Sequence, residues 1–468
     1  MEKLYAISPL DGRYHSKVET LGNYFSEAAL INYRIMVECE YFIFLNHFLA
    51  SKRKRIKPLK DSEIKSIREL YFLKDKNALE VKKIEFLGDK NIKPTNHDVK
   101  AVEYYIKRYI SKITKNNIEF VHFALTSEDV NNISYSLMIS SFIKDIYLKE
   151  LNLILKNIDY FANRYASSLF PARTHGQIAS PTTFGKEMKN FYERIKRQKK
   201  LIESHKLRVK LNGAVGNYNA FVSAYPEINW IRFTKKFVSH IDNYFSLNLE
   251  PNLYTTQIEN HDSWIELFDR LKHLNNILIG FCEDIWRYIS DELVILKQIE
   301  GEVGSSTMPH KVNPINFENA EGNLQFANTI FNFFSSKFAV SRMQRDLTDS
   351  TIERNIGVAF GHTILSFKSL IEGISKIELD EIKAKNMVKA HPEVYAEAIQ
   401  TILRKHGIRN AYEILKRQTR GRKITEKDIK NFIETSKFSQ SIKSEIMSVI
   451  SKPYVGYAEK LAKLKLEE

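Results

Sequence analysis

The chain has 468 residues, with 71 Lys and Arg against 56 Asp and Glu for a formal charge of +15, and 43% apolar residues, a balance that supplies a full hydrophobic core and excludes global disorder. Its 17 Gly and 11 Pro are about half the average share, which argues against a turn-rich β protein. Two cysteines, Cys39 and Cys282, can build neither a disulfide framework nor a Cys-rich zinc site, no apolar run reaches the roughly 18 residues of a membrane span, and the start MEKL has no signal-peptide core, so a soluble cytoplasmic protein is expected.

The positive charge is concentrated. Residues 51–60, 193–210 and 404–423 carry +6, +6 and +7, and the rest of the chain sums to −4. None of the three segments holds an aromatic RNA-binding signature, a zinc-finger spacing or a heptad-linked basic region, so they read as solvated helix faces or Lys-rich loops rather than a nucleic-acid footprint.

In chain order, an N-terminal helical region of shorter elements runs to about residue 117. Near its end Thr95-Asn96-His97-Asp98 has the Ser/Thr-x-x-acid spacing of a helix cap. A central region of long helices follows, to about residue 373. Thr126-Ser127-Glu128-Asp129 has the same capping spacing, and 131–165 places Ile133, Leu137, Ile143, Tyr147, Ile154, Ile158 and Phe161 at helical steps with apolar content beyond one face. Such a helix must be covered on more than one side, as in a bundle that oligomerisation buries further.

A Pro- and Gly-punctuated break at 171–188 interrupts the long helices and contains Arg173 and His175. A polar residue at such a break is better placed for proton transfer than one on a helix stripe. From Trp264 through Leu267, Phe268, Leu271, Leu274, Leu278, Cys282, Ile285 and Ile289 the spacing is three or four throughout, an apolar helical stripe that Ser263 and Glu266 open as a capping box. The loop 301–314, GEVGSSTMPHKVNP, is flexible and polar and ends in Asn313-Pro314, an N-cap and first-turn pair. With Lys311 beside a helix N-terminus, it favours anions. Ser350-Thr351-Ile352-Glu353, flanked by Arg345 and Arg354, repeats the capping spacing. A C-terminal helical region covers 374–468. No HExxH or Cys/His cluster supports a metal, and no P-loop or GxGxxG supports a nucleotide cofactor.

GSSTMPHKVNP at 304–314 resembles the signature loop of the fumarase/aspartase superfamily. Together with TNHDVKAVEY at 95–104, TSEDVNN at 126–132, RTHGQ at 173–177, NGAVGNYNA at 212–220, TTQIE at 255–259 and QRDLTDSTIERN at 344–355, it is similar to the adenylosuccinate lyase family within that superfamily. The matches run in family order from PLDGRY at 9–14 to QTRG at 418–421. Val312 departs from the Arg common in that family and matches fumarases; the RTHGQ, TNHD and TTQIE segments keep the resemblance with adenylosuccinate lyases.

The resemblance implies an all-α fold of three helical domains, 1–117, 118–373 and 374–468, with a central long-helix bundle forming the core of a homotetramer whose active sites are shared between subunits. It implies β-elimination of fumarate from adenylosuccinate, giving AMP, and from succinyl-aminoimidazole carboxamide ribotide in purine nucleotide biosynthesis, with no cofactor, metal, membrane or nucleic acid. By the same match Ser305 is the general base and His175 the general acid, with His97 and Lys311 completing the catalytic set. Substrate-contact positions fall at Arg13, Tyr14, Asn96, His97, Asp98, Thr126, Ser127, Gln257, Ser306, Lys311, Val312, Asn313, Asn319, Arg345, Ser350, Thr351, Ile352, Glu353 and Arg354. The glycine-flanked loop at 301–307 is expected to close over substrate. Two other readings stay open from the residues alone: another lyase of the superfamily, separable by a substrate panel, and a basic nucleic-acid-binding or scaffold protein, separable by salt-dependent binding at the three basic segments.

Overall fold

A computed structural model describes residues 2–53, 55–72, 74–89, 92–115, 117–297, 308, 311–419 and 424–465. The fold is helical, as the scarcity of Gly and Pro predicts. Its principal helices are α1 (Glu27–Ala50), α2 (Asp98–Ile113), α3 (Ser127–Phe142), α4 (Leu148–Arg164), α5 (Phe184–Glu203), α6 (Trp230–Phe245), α7 (Asp262–Ser290), α8 (Ile315–Phe338), α9 (Thr348–Glu353) and α10 (Ile356–Ser375). Strands among the described residues are only two or three residues long and pair two by two: β1 (Leu169–Phe170) with β4 (Thr182–Thr183), β2 (Arg173–Thr174) with β3 (Gln177–Ile178), β5 (Leu207–Val209) with β6 (Leu249–Pro251), and β7 (Val294–Leu296) with β8 (Ile377–Leu379). No helix among the described residues is long and apolar enough to cross a membrane.

The chain divides into two compact units. The first takes 1–151, 198–276 and 323–368. Its N-terminal core packs Ile35, Cys39 and Phe42 of α1 against Val102, Tyr105 and Ile106 of α2, with Ile67 and Val81 from the intervening helices. α3 is buried from Glu128 through Ile139 on every side, which answers the broad apolar face of its sequence. A five-residue π turn at Ile143–Tyr147 joins α3 to α4, so the expected run over 131–165 is continuous but carries a local widening. The predicted stripe of α7 is buried at Trp264, Leu267, Phe268, Leu271 and Leu274 in this unit and at Leu278, Cys282 and Ile285 in the second. β5 and β6 run parallel, with Leu207 opposite Leu249.

The second unit takes 152–197, 277–322 and 369–468. Here Ser369 Oγ donates to Asn319 Oδ1 at 2.8 Å, tying α10 to α8. A separate small core at the C-terminal end unites Ile399, Leu403, Ile433 and Ile446.

Two expected caps shift by a residue or change partner. α7 begins at Asp262, and Ser263 Oγ instead accepts from Arg208 N at 2.9 Å, fastening β5 to the helix. α8 begins at Ile315, with Pro314 immediately before it, one residue later than the Asn313-Pro314 pair suggests. One basic segment is also less solvated than its composition implies: Lys210 is completely buried and its ammonium lies 2.8 Å from Asp129 Oδ1.

Candidate active site

The start of α2 supplies the first group of predicted site residues. Asn96 sits at φ +47°, a left-handed conformation that Asn tolerates better than most residues. It turns the chain so that His97, not Thr95, caps the helix: His97 Nδ1 accepts from Lys100 N at 3.2 Å. The imidazole is otherwise exposed, with Nδ1 3.8 Å from Asp98 Oδ1. Thr95 Oγ1 donates to His97 O at 3.0 Å and so braces the turn.

The start of α3 forms as the sequence predicts. Asp129 reaches back to Thr126 N at 2.9 Å in a capping box. The same carboxylate accepts from Asn212 N at 3.0 Å and Gly213 N at 3.2 Å and binds Lys210, so the TSED and NGAVG segments share one anchor. Gly216, at φ +80°, brings that loop against 255–256; an added Cβ would lie 2.3 Å from Thr255 O. Ser127, the first residue of α3, is half-buried.

From Asp98 a polar chain runs through the interior of the first unit. Asp98 Oδ2 meets Arg34 Nη1 at 2.9 Å and Arg354 Nη2 at 3.0 Å. Burial pushes the Asp98 carboxyl up, but Arg34, the Val99 N–H and Arg354 outweigh it, and the net is a fall to about 2. Arg34 Nε donates to Asn131 Oδ1 at 3.0 Å, and Asn131 Nδ2 donates to Glu128 Oε2 at 3.4 Å. Glu128 in turn lies 3.4 Å from Arg345 Nη2. Arg345 Nη1 donates to Gln257 Oε1 at 3.3 Å, and its Nε is 3.7 Å from Asp349. Arg354 also pairs with Glu27 at 2.6 Å. Asn96, His97, Asp98, Thr126, Ser127, Gln257, Arg345, Ser350, Thr351, Ile352, Glu353 and Arg354 thus belong to one unit, and its polar chain links the segments that carry them.

Ser350 does not open a helix. It lies inside α9, which Leu347 precedes, and its hydroxyl donates to Leu347 O at 3.1 Å. Thr351 is exposed and Ile352 half-buried. Glu353 is buried, with Oε1 3.3 Å from His261 Nε2. Glu128, His261 and Glu353 bring their ligand-type atoms within 4.8 Å of one another, a donor set that a divalent cation can use. The Arg345 guanidinium already occupies the neighbouring position as a fixed cation, which favours protons over a metal ion there.

In the first unit Arg13 is exposed, with its guanidinium 5.8 Å from the Tyr14 ring centroid. In the second unit His175 and Gly176 form the two-residue turn between β2 and β3, at φ +52° and +77°. Positive φ at both positions is the requirement of a type I′ hairpin, and it leaves the His175 imidazole exposed at the tip. Arg173 at the hairpin base pairs with Asp291 at 2.9 Å. Lys311 is exposed, and Val312 and Asn313 are half-buried just before α8. Ser305 and Ser306 lie outside the described residues.

Sequence reasoning missed Arg34, Asn131, Lys210 and His261 as members of these networks. Arg34 carried a signal: a lone arginine in the apolar run ALINYRIMVE must find a partner when buried.

Comparison with known proteins matches residues 12–327 to a lyase family model and 341–455 to the adenylosuccinate lyase C-terminal model. The chain is 45% identical to an adenylosuccinate lyase of Dictyostelium discoideum over 97% of both chains. It is 43% identical to that of Legionella pneumophila (strain Corby) and 40% identical to that of Escherichia coli (strain K12), each over 98% of both chains. Among solved structures, a 3-carboxy-cis,cis-muconate lactonizing enzyme from Pseudomonas putida shares the fold, with a TM-score of 0.67 at 17% identity over 95% of both chains. The two family models in succession and the near-complete overlap at 40–45% identity establish that the chain belongs to the adenylosuccinate lyase family.

Proposed function

We infer that this chain eliminates fumarate from adenylosuccinate to release AMP, and from succinyl-aminoimidazole carboxamide ribotide to release aminoimidazole carboxamide ribotide. The observation that carries the reading is convergence: Asp98 and Arg354, 256 residues apart, meet at one ion pair in a network that also holds Arg345 and Gln257, in a chain whose full-length relatives are adenylosuccinate lyases.

The reaction sets three demands. A base removes a proton from the carbon beside a carboxylate, and the electron pair of that bond is held by the carboxylate until it forms the new double bond as the nitrogen leaves with the carbon–nitrogen pair. The carbon–nitrogen bond then breaks as an acid gives the departing nitrogen its proton, and cations hold the dianionic aci-carboxylate that builds up between the two steps. We assign the base to Ser305 and the acid to His175. A serine hydroxyl is a poor base unaided, and the features of the chain that suit it to the role are the Lys311 charge and the helix that starts at Ile315. The hairpin turn gives His175 an exposed imidazole, the property a proton donor to a bound substrate needs. Arg345, Arg354 and Arg13 supply cations for the phosphate and the two carboxylates, with His97, Ser350 and Gln257 as hydrogen-bonding partners.

We read the chain further as the subunit of a cytoplasmic homotetramer with shared active sites, divided into helical domains 1–117, 118–373 and 374–468. Phe326 and Phe333, seven residues apart on α8 and 53% and 52% exposed, support such an association, since they share one helix face.

The test is direct. Purified chain with adenylosuccinate and no added cofactor forms AMP and fumarate in equal amounts, and argininosuccinate and fumarate give no turnover; absence of fumarate from adenylosuccinate overturns the reading.

A further inference from the structure

Around His261 the first unit buries more acid than it has arginine to balance. The imidazole is fully buried, its ring centroid 4.7 Å from Trp264 and 5.1 Å from Phe338. Facing it are Glu128 of α3, Asp349 and Glu353 of α9, Arg345 from the segment before α9, and Glu259 of its own segment. Glu128, Glu259, Asp349 and Glu353 are 0%, 1%, 8% and 2% exposed. Glu259 is satisfied, accepting from His261 N at 2.6 Å and Asn252 Nδ2 at 2.7 Å. Of the other three, Glu128 and Asp349 lie 3.4 and 3.7 Å from the Arg345 guanidinium, and Glu353 lies 3.3 Å from His261.

Unbalanced buried carboxylates are relieved by taking up protons. Glu128, Asp349 and Glu353 against Arg345 leave two negative charges, which one proton on His261 and one on Glu128 cancel; Glu259, held by two N–H donors, is outside that sum. The group is short of partners: among the described residues both His261 ring nitrogens, Glu128 Oε1, Glu353 Oε1, Asp349 Oδ2 and Arg345 Nε are buried without a hydrogen bond, although His261 Nε2 is only 3.3 Å from Glu353. Burial, then the Glu353 charge, pushes the Glu128 carboxyl up; burial pushes His261 down, but Glu353, Glu259 and Glu128 outweigh it and the net is upward. With Glu128 protonated, Asp349, 3.7 Å from Arg345 Nε, is the carboxylate of this group that stays on the guanidinium.

We propose that His261 and Glu353 are positioning residues: protons held by His261 and Glu128 pin α9, through Glu353, to the start of α3 and so hold Arg345, Ser350 and Arg354 for the anionic groups of the substrate. This role rests on the function inferred above. Because each invoked group binds its proton more tightly folded than unfolded, its stabilisation is complete below the unfolded-state value and is lost as pH rises through the folded-state value.

Two measurements decide it. With adenylosuccinate, H261Q and E353Q raise KM about tenfold with kcat changed by less than about threefold, the signature of lost uniform binding, and flatten the rise of KM between pH 6.5 and 9 that is expected of wild type. Unchanged KM and pH profile in the folded variants, or a loss confined to kcat, overturns the proposal. Independently of turnover, the melting temperature of the wild-type protein falls between pH 4.5 and 8, from the unfolded-state value of the Glu128 carboxyl to its folded one of about 8, and E128Q, which mimics the protonated carboxyl, removes most of that fall; an identical fall in E128Q overturns the proposal even where H261Q fails to fold. Stabilisation of wild type by Zn²⁺ that E128Q abolishes also overturns it, in favour of a metal site. If wild type does not turn over adenylosuccinate, the functional reading fails, and the melting arm still reads the proton network by itself.

Discussion

Arg34 and Asp98 meet at 2.9 Å, the guanidinium only 2% exposed, and this ion pair joins the interior of α1 to the first residue of α2. Removing one partner of a buried pair strands the other, at a cost of about 3–5 kcal/mol. Because Asp98 keeps Arg354 as a second partner, R34M is expected at the lower end, near about 3 kcal/mol, read as a shift of the chemical denaturation midpoint. A loss under about 1 kcal/mol contradicts the assignment of Arg34 as the anchor of α2.

The same pair fixes an acid limit. The Asp98 carboxyl is depressed from 3.8 to about 2, so its stabilising contribution is complete above the unfolded-state value and is lost as pH falls through the folded-state one. Between pH 4 and 2, D98N is expected to show a shallower loss of stability than wild type, followed by helical circular dichroism. Parallel acid curves would refute it.

His97 has two duties that mutagenesis can separate. H97A loses the acceptor for Lys100 N and costs about 1 kcal/mol, the usual worth of an N-cap. H97N restores the acceptor and the stability but not the imidazole. Turnover of adenylosuccinate stays low in both variants if His97 serves catalysis, and returns in H97N if its role is the cap alone.

For His175 the hairpin dictates which variant is informative. Its φ of +52° is tolerated by Asn, so H175N keeps the turn while removing the proton donor. It should melt with wild type and lose about 10²–10⁴-fold in kcat, the range general acid catalysis supplies. S305A should do the same from the base side. Full activity in either variant removes that residue from its assigned role.

Gly216 tests whether the loop at 212–216 supports Gln257. With φ +80° and a Cβ position 2.3 Å from Thr255 O, G216A must shift the 255–257 segment. A raised KM for adenylosuccinate is expected, with the melting temperature lowered; a variant indistinguishable from wild type in both would show that the loop yields freely.

The sequence by itself determined the helical class, because apolar residues recur at three- and four-residue steps in stretches that lack Gly and Pro, and the α7 stripe from Trp264 to Ile285 is buried as its spacing requires. It also determined the family, because seven short motifs keep their order along the chain, and it located the Thr126–Asp129 cap, whose partners are three residues apart. Tertiary structure alone decided the rest. Which acid faces Arg34, that Lys210 is interior, that His261 meets Glu353 across 92 positions, and that Ser350 sits within a helix are outcomes of packing. A local pattern reports what a residue can bond to within one helical turn. A buried charge takes its partner from whatever segment the core brings against it, and at Arg34, Glu128 and His261 that segment lies far along the chain.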